Sequence, residues 1–294
     1  MHQRWVGAGL CTLSAAGFST LAILAKFAYT EGLSLPGILW LRFGGAALIL
    51  VLFLLLRRVR FIFNFRRTVA LFLLGAVGYA VQASLYVGSL QRIPASVAAL
   101  LLYSYPVFVA LLAWGINRRR PTGGELSAMA LALLGVVLTI SPGQEIGRAD
   151  ALGLALVLAS AVWYAGYITA SDRLIARAGS LVSTAWITLG AFFTFTIAGA
   201  VTGSLPSSLS PSAIWVMAAM VVFSTVLPIG TFLAGMTRVG PTAASLLSTL
   251  EPVFTTLLAA AVLKESLTAG QMAGGASVLA AVVLLNLPAR RAPS

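Results

Sequence analysis

The sequence predicts an all-α integral membrane protein, with ten transmembrane helices forming two inverted five-helix repeats around a central cavity. Three observations predict it: an apolar composition, a pattern that occurs twice, and a one-sided distribution of arginine. The chain is 60% hydrophobic and 9% charged over 294 residues, with a mean hydropathy of +0.99. Soluble domains carry about 25% charged residues, so this chain lacks the polar material to cover a water-exposed surface.

The repeat appears when the sequence is laid over itself with a shift of 146 positions. Gly7, Leu10, Ser14 and Ala15 then fall on Gly153, Leu156, Ser160 and Ala161. Ser34, Leu35, Trp40 and Gly44 fall on Ser180, Leu181, Trp186 and Gly190, and Pro106-Val107-Phe108 on Pro252-Val253-Phe254. Apolar runs lie near 6–27, 36–56, 68–90, 94–115 and 122–140, then 151–173, 180–202, 211–237, 240–262 and 269–287. Each approaches the roughly 20 residues needed to cross about 30 Å of hydrocarbon. The expected units are residues 1–146 and 147–294. Five crossings per copy put the second copy into the bilayer upside down, the usual architecture of secondary transporters.

The net charge of +12 fits the same picture without a nucleic-acid partner. With the N-terminus placed inside, the inner side carries Arg4, Arg57, Arg58, Arg60, Arg66, Arg67, Arg118, Arg119, Arg120, Arg173, Arg177, Arg238, Arg290 and Arg291. The outer side carries only Arg92, Arg148 and Lys264. This is the positive-inside pattern, and it places both termini in the cytoplasm. It also separates the copies. The loop after span 2 holds five arginines, and its counterpart at 203–210 holds none.

Enzyme chemistry is disfavoured by inventory. His2 is the sole histidine, so a nucleophile–histidine arrangement has no base, and no phosphate-binding G-x-x-x-x-G-K-[ST] loop is present. Cys11 is the only cysteine, which excludes an internal disulfide and a thiol metal cluster. No cofactor or metal is expected.

Glu251 alone among the acids lies at mid-span, directly before Pro252. An ionisable group at that depth costs roughly 2.5–3.5 kcal/mol on insertion scales and must face protein or a wet cavity. It reads equally as a partner for a substrate amine, a proton carrier, or a protonated acid bonded to a neighbouring helix. Lys26 and Arg42 lie near the outer ends of spans 1 and 2, where they serve as gates or snorkel to the headgroups. Pro106, Pro228 and Pro252 each remove a backbone donor in a span, giving moving kinks or static bends. Tyr79 and Gln82 share a helical face with Tyr86 in span 3, and span 6 carries Trp163, Tyr164 and Tyr167 opposite Phe18 of span 1 in the repeat register. With Tyr103 in span 4 and Ser248 in span 9, these suit a small, partly apolar solute. The expected substrate-binding set is Phe18, Tyr79, Gln82, Tyr103, Trp163, Tyr167, Ser248 and Glu251. The expected gating set is Lys26, Arg42, Pro106, Pro228 and Pro252. Spans 5 and 10, with their glycines, read as scaffold or dimer contact, leaving monomer and homodimer open.

These features resemble the drug/metabolite transporter superfamily, of the EamA-domain type. Carrying the resemblance are Arg42, the stretch Pro94-Ala95-Ser96-Val97-Ala98-Ala99-Leu100-Leu101 leading to Pro106, and its echo Gly240-Pro241-Thr242-Ala243-Ala244-Ser245-Leu246-Leu247 leading to Pro252. Leu263-Lys264-Glu265-Ser266-Leu267 follows the echo, whereas Arg119 departs from the acid usual at that position of the first copy. The resemblance implies a carrier of the bacterial inner (plasma) membrane, with spans 1–4 and 6–9 around the cavity and spans 5 and 10 peripheral. It is similar to bacterial amino acid exporters, aromatic ones in particular. The expected function is alternating-access export of neutral or aromatic amino acids and related metabolites through the lipid bilayer. The alternative is a proton-coupled exporter of drugs or other organic solutes.

Overall fold

The computed structural model describes residues 2–59, 64–117, 123–140, 151–178, 180–239, 244 and 247–286. Every regular element among them is helical. The first half contributes α1 (His2–Thr30), α2 (Leu35–Leu56), α3 (Phe65–Leu73), α4 (Ala80–Ser89), α5 (Ala95–Leu102), α6 (Tyr105–Asn117) and α7 (Gly123–Ile140). The second contributes α8 (Ala151–Ala178), α9 (Ser180–Thr202), α10 (Pro211–Val221), α11 (Leu227–Val239), α12 (Leu250–Leu263) and α13 (Ala269–Asn286). Six segments are long and apolar enough to cross a membrane, and four shorter apolar helices accompany them. The expected unit boundary at 146, Ser245, Asp150, and Arg60, Arg118, Arg119, Arg120, Arg148, Arg290 and Arg291 lie outside the described residues.

Local chemistry sets the helix ends. Ser34 caps α2 by accepting from the Gly37 amide, with Pro36 in the first turn, where a missing N–H costs nothing. Ser210 caps α10 in the same way through the Ala213 amide, followed by Pro211. The α12 helix stops at Lys264, which takes the left-handed conformation that ends a helix (φ 59°).

Two spans contain π-helical segments, one joining α3 to α4 (Leu74–Tyr79) and one joining α10 to α11 (Val222–Val226). They overlap in the 146-residue register, although the residues differ. The same kind of bond reaches the helix that follows each. Ser14 Oγ on α1 donates to the Pro228 carbonyl at 2.8 Å, and Ser160 Oγ on α8 donates to the Gln82 carbonyl at 3.2 Å. Ser14 is equivalent to Ser160 and Gln82 to Pro228. Both carbonyls lie just past the π segments, in α4 and α11, and each bond joins one half to the other.

The core centres on α1, α2, α4, α5 and α8. Phe43, Ile38, Leu39, Leu101 and Met220 are fully buried among alanines such as Ala25, Ala28, Ala98, Ala161 and Ala191. Small residues let helices approach closely where lipid offers no hydrophobic drive for association. Outward-facing positions are apolar too, including Leu48, Val201, Trp215 and Leu257. The α7 and α13 helices pack against each other, with Gly135 beside the Gly274 carbonyl and Val278. Neither supplies a residue to the cavity described next, among the described residues.

Candidate functional site

A cavity of about 140 Å³ lies where the two halves meet. Phe18 and Leu21 enter it from α1, Arg42 from α2, Tyr79, Gln82, Ala83 and Tyr86 from span 3, Leu102, Tyr103 and Tyr105 from span 4, Tyr164 from α8, and Glu251 from α12. Span 3 contributes as the sequence predicts, because residues three and four apart share a helical face.

Span 4 behaves differently. Its helix breaks at Tyr103-Ser104, between α5 and α6, where Ser104 turns back to the Leu101 carbonyl. Residue 106 is proline, which has no amide to give the Leu102 carbonyl, so α5 cannot run on. The break brings Tyr103 and Tyr105 into the same cavity, which their spacing of two would forbid on one continuous helix. Pro252 likewise stands in the first turn of α12, and Pro228 is the second residue of α11, after a π segment. Pro106 and Pro252 therefore sit in the first turns of helices, whereas Pro228 lies within one continuous span, Pro211–Val239, just after its π segment. The Pro106 side chain itself lies outside the described residues.

The polar groups form three small networks. Arg42 is 3% exposed, its Nε donates to Thr225 Oγ1 at 3.2 Å, and its guanidinium lies 5.1 Å from the Phe43 ring centroid. Gln82 Nε2 donates to Ser160 Oγ at 3.3 Å. The Tyr103 hydroxyl stands 2.7 Å from Glu251 Oε2 and 2.9 Å from the Ser248 carbonyl, and its single proton serves one of them at a time. Behind these groups runs an aromatic wall. Tyr103, Tyr105, Tyr164, Tyr167, Tyr79 and Phe43 follow one another with centroid separations between 4.8 and 5.9 Å, the range in which aromatic rings attract.

Of the predicted binding residues, Phe18, Tyr79, Gln82, Tyr103 and Glu251 line the cavity together. Tyr167 stands behind the lining, against Tyr79 and Tyr164. Ser248 presents its carbonyl to Tyr103, while its hydroxyl returns to the Ala244 carbonyl. Trp163 is 42% exposed and outside the lining; its indole N–H donates to the Gly78 carbonyl of the first π segment at 2.8 Å. Lys26 Nζ lies 3.7 Å from Glu265 Oε1. Glu265 in turn accepts from the Ala95 and Ser96 amides and from Ser96 Oγ, capping α5. Arg42, predicted as a gate, is a cavity residue. Tyr105 was missing from the predicted set, and its only signal was the neighbouring proline.

A many-helix membrane protein with a mixed-polarity cavity between two matched halves has the build of a solute transporter. The EamA-like transporter family pattern matches residues 5–141 and again 151–287. The chain belongs to that family and is a membrane transporter. The threonine/homoserine exporter RhtA of Escherichia coli (strain K12) is 26% identical over 295 residues, covering 98% of this chain and 93% of the relative. An uncharacterized transporter of Synechocystis, sll1319, is 30% identical over 212 residues, covering 67% of this chain and 60% of the relative. A solved crystal structure superimposes with a TM-score of 0.67 over 95% of this chain and 96% of the other, at 19% identity, a likeness of fold.

Proposed function

We propose that this chain is a secondary carrier that exports small neutral amino acids across a bacterial inner membrane by alternating access. Residues 1–146 and 147–294 form antiparallel halves of five crossings each, with both termini cytoplasmic. The observation that carries the reading is one cavity, built by both halves, that combines Arg42, Gln82 and Glu251 with a tyrosine wall. Charged and amide groups take the amino acid backbone, and the aromatic wall takes its side chain. The volume supports small substrates. A cavity of about 150 Å³ accommodates a benzene ring, so 140 Å³ takes a threonine-sized solute directly. A bulkier aromatic amino acid needs Tyr105 or Tyr164 to move. Relatives named for threonine and homoserine export support the same class.

Counterflow in proteoliposomes with labelled threonine, homoserine, phenylalanine and a cationic dye tests this. Saturable flux of at least one amino acid is expected, and dye flux with none for any amino acid would remove the reading. The half-buried carboxyl of Glu251 in the cavity favours a second reading, proton-coupled export of organic cations. In that case Glu251→Gln abolishes pH-driven flux while leaving downhill exchange intact.

A further inference from the structure

Two charged side chains of opposite sign share this cavity without forming an ion pair, Arg42 buried and Glu251 half-buried. Arg42 comes from α2 in the first half and Glu251 from α12 in the second. Among the described residues, the ion pair within 4.0 Å is Lys26 with Glu265, and neither cavity group has one. Arg42 uses only Nε toward the protein, on the neutral hydroxyl of Thr225, so its two terminal NH₂ groups have no protein acceptor among the described residues. Glu251 uses only Oε2, toward the neutral hydroxyl of Tyr103. A guanidinium that is 97% buried and lacks an anion is costly, unless a ligand supplies one.

We propose that the cavity is a zwitterion site in which Arg42 takes the substrate carboxylate and Glu251 its ammonium, and that Arg42 is the residue that excludes monocations. This rests on the amino acid reading above and names the charge class within it. An α-amino acid brings one anion and one cation on adjacent atoms, matching both orphaned groups at once. The planar guanidinium offers paired donors suited to a carboxylate. A decarboxylated amine satisfies Glu251 but places its charge in a cavity that already holds Arg42 without an anion. An N-acetylated acid satisfies Arg42 and leaves Glu251 without a cation. Tyrosine faces around the site favour the ammonium end further.

The full-length protein in proteoliposomes is assayed with four solutes: threonine, phenylalanine, phenethylamine and N-acetylphenylalanine. Wild type should favour the zwitterions over both derivatives by about tenfold or more, because a site built to bind a polar group rejects the analogue lacking it. Arg42→Gln should lower zwitterion flux and bring the phenylalanine-to-phenethylamine ratio to one or below. Arg42→Lys should keep part of the preference. Thermal stabilisation of the wild-type chain by the same four solutes gives a second measurement that needs no variant: protection by the zwitterions alone is expected. An unchanged phenylalanine-to-phenethylamine ratio in Arg42→Gln, or equal protection by phenethylamine, overturns the Arg42 assignment while leaving amino acid export standing. Flux and protection by no amino acid at all overturn both.

Discussion

Two equivalent seams hold the halves together, and they are packed differently. In one, α9 lies against α3 and the first π segment. A Cβ on Gly75 would run into the Ile187 carbonyl, and one on Gly190 into the Phe72 carbonyl, so backbone meets backbone. Thr194 Oγ1 adds a bond to the Ala76 carbonyl at 2.6 Å. In the other, α2 faces α10 and the second π segment. There Val221 replaces Gly75 in the register, and Leu48 replaces Thr194. The Val221 side chain lies 2.7 Å from where a Gly45 Cβ would stand, holding the helices apart by its own width. Beside this looser seam, between α2 and α9, is an apolar groove of about 460 Å³ lined by Trp40, Gly44, Leu48, Leu189 and Phe192. The lesson is that a repeated scaffold need not be repeated contact by contact. One methyl-bearing residue in place of glycine decides which seam closes.

The largest effect should come from testing that difference directly. Gly75→Ala or Gly190→Ala forces a side chain into a carbonyl that cannot swing away, and a loss of about 3 kcal/mol or more, or of folded protein altogether, is expected. Gly44→Ala meets the Phe192 ring 2.7 Å away, which can rotate, so its cost should be clearly smaller. Equal melting temperatures for the Gly75 and Gly44 variants in detergent would break the comparison.

The serine bonds to the helices just after the two π segments are the part that the halves share. Ser14→Ala and Ser160→Ala each remove one hydroxyl donor, at about 1 kcal/mol apiece, and the Pro228 carbonyl keeps the Thr231 hydroxyl at 3.2 Å. Matching losses in thermal unfolding sharpen the view that the device is common to both copies. Trp163→Phe removes the additional bond to Gly78, which has no equivalent because Gly17 occupies that place in the first copy. Its cost should be about 0.5–1.5 kcal/mol.

The smallest effect concerns pH. Hydroxyls of Ser212 and Ser210, at 2.5 and 2.7 Å, hold the exposed Glu31 carboxyl below its usual range. The folded pKa is the lower one, so the tie from the end of α1 to the start of α10 is complete at neutral pH and lost as pH falls through the acid range. Ser212→Ala should remove a small part of the melting-temperature difference between pH 7 and pH 4. An unchanged difference would show that this tie contributes nothing.

Much of the site was legible beforehand, and the failures share a cause. Tyr79 and Gln82 were found because one helical face displays them, and Tyr86, on that face but outside the predicted set, lines the cavity with them. Tyr105 was missed because the helix break before Pro106 re-aims it, and regular periodicity cannot foresee a break. Trp163 lies deep in its span, yet its face carries it to a π-segment carbonyl outside the cavity. Arg42 was read as a gate from its depth along α2; its place in the cavity and its bond to Thr225 depend on α2 lying beside the second π segment, which no periodicity shows.

Membrane residence and the doubled pattern follow from the sequence by itself, because composition and register are properties of the chain read in order. Which charges share a cavity, which seam closes, and which tyrosines face a solute were settled only in three dimensions. Helical periodicity fixes the direction of a side chain around its own axis. What that side chain meets depends on the packing of another helix, and here that packing turns on π segments, glycines and proline breaks that have no period to read.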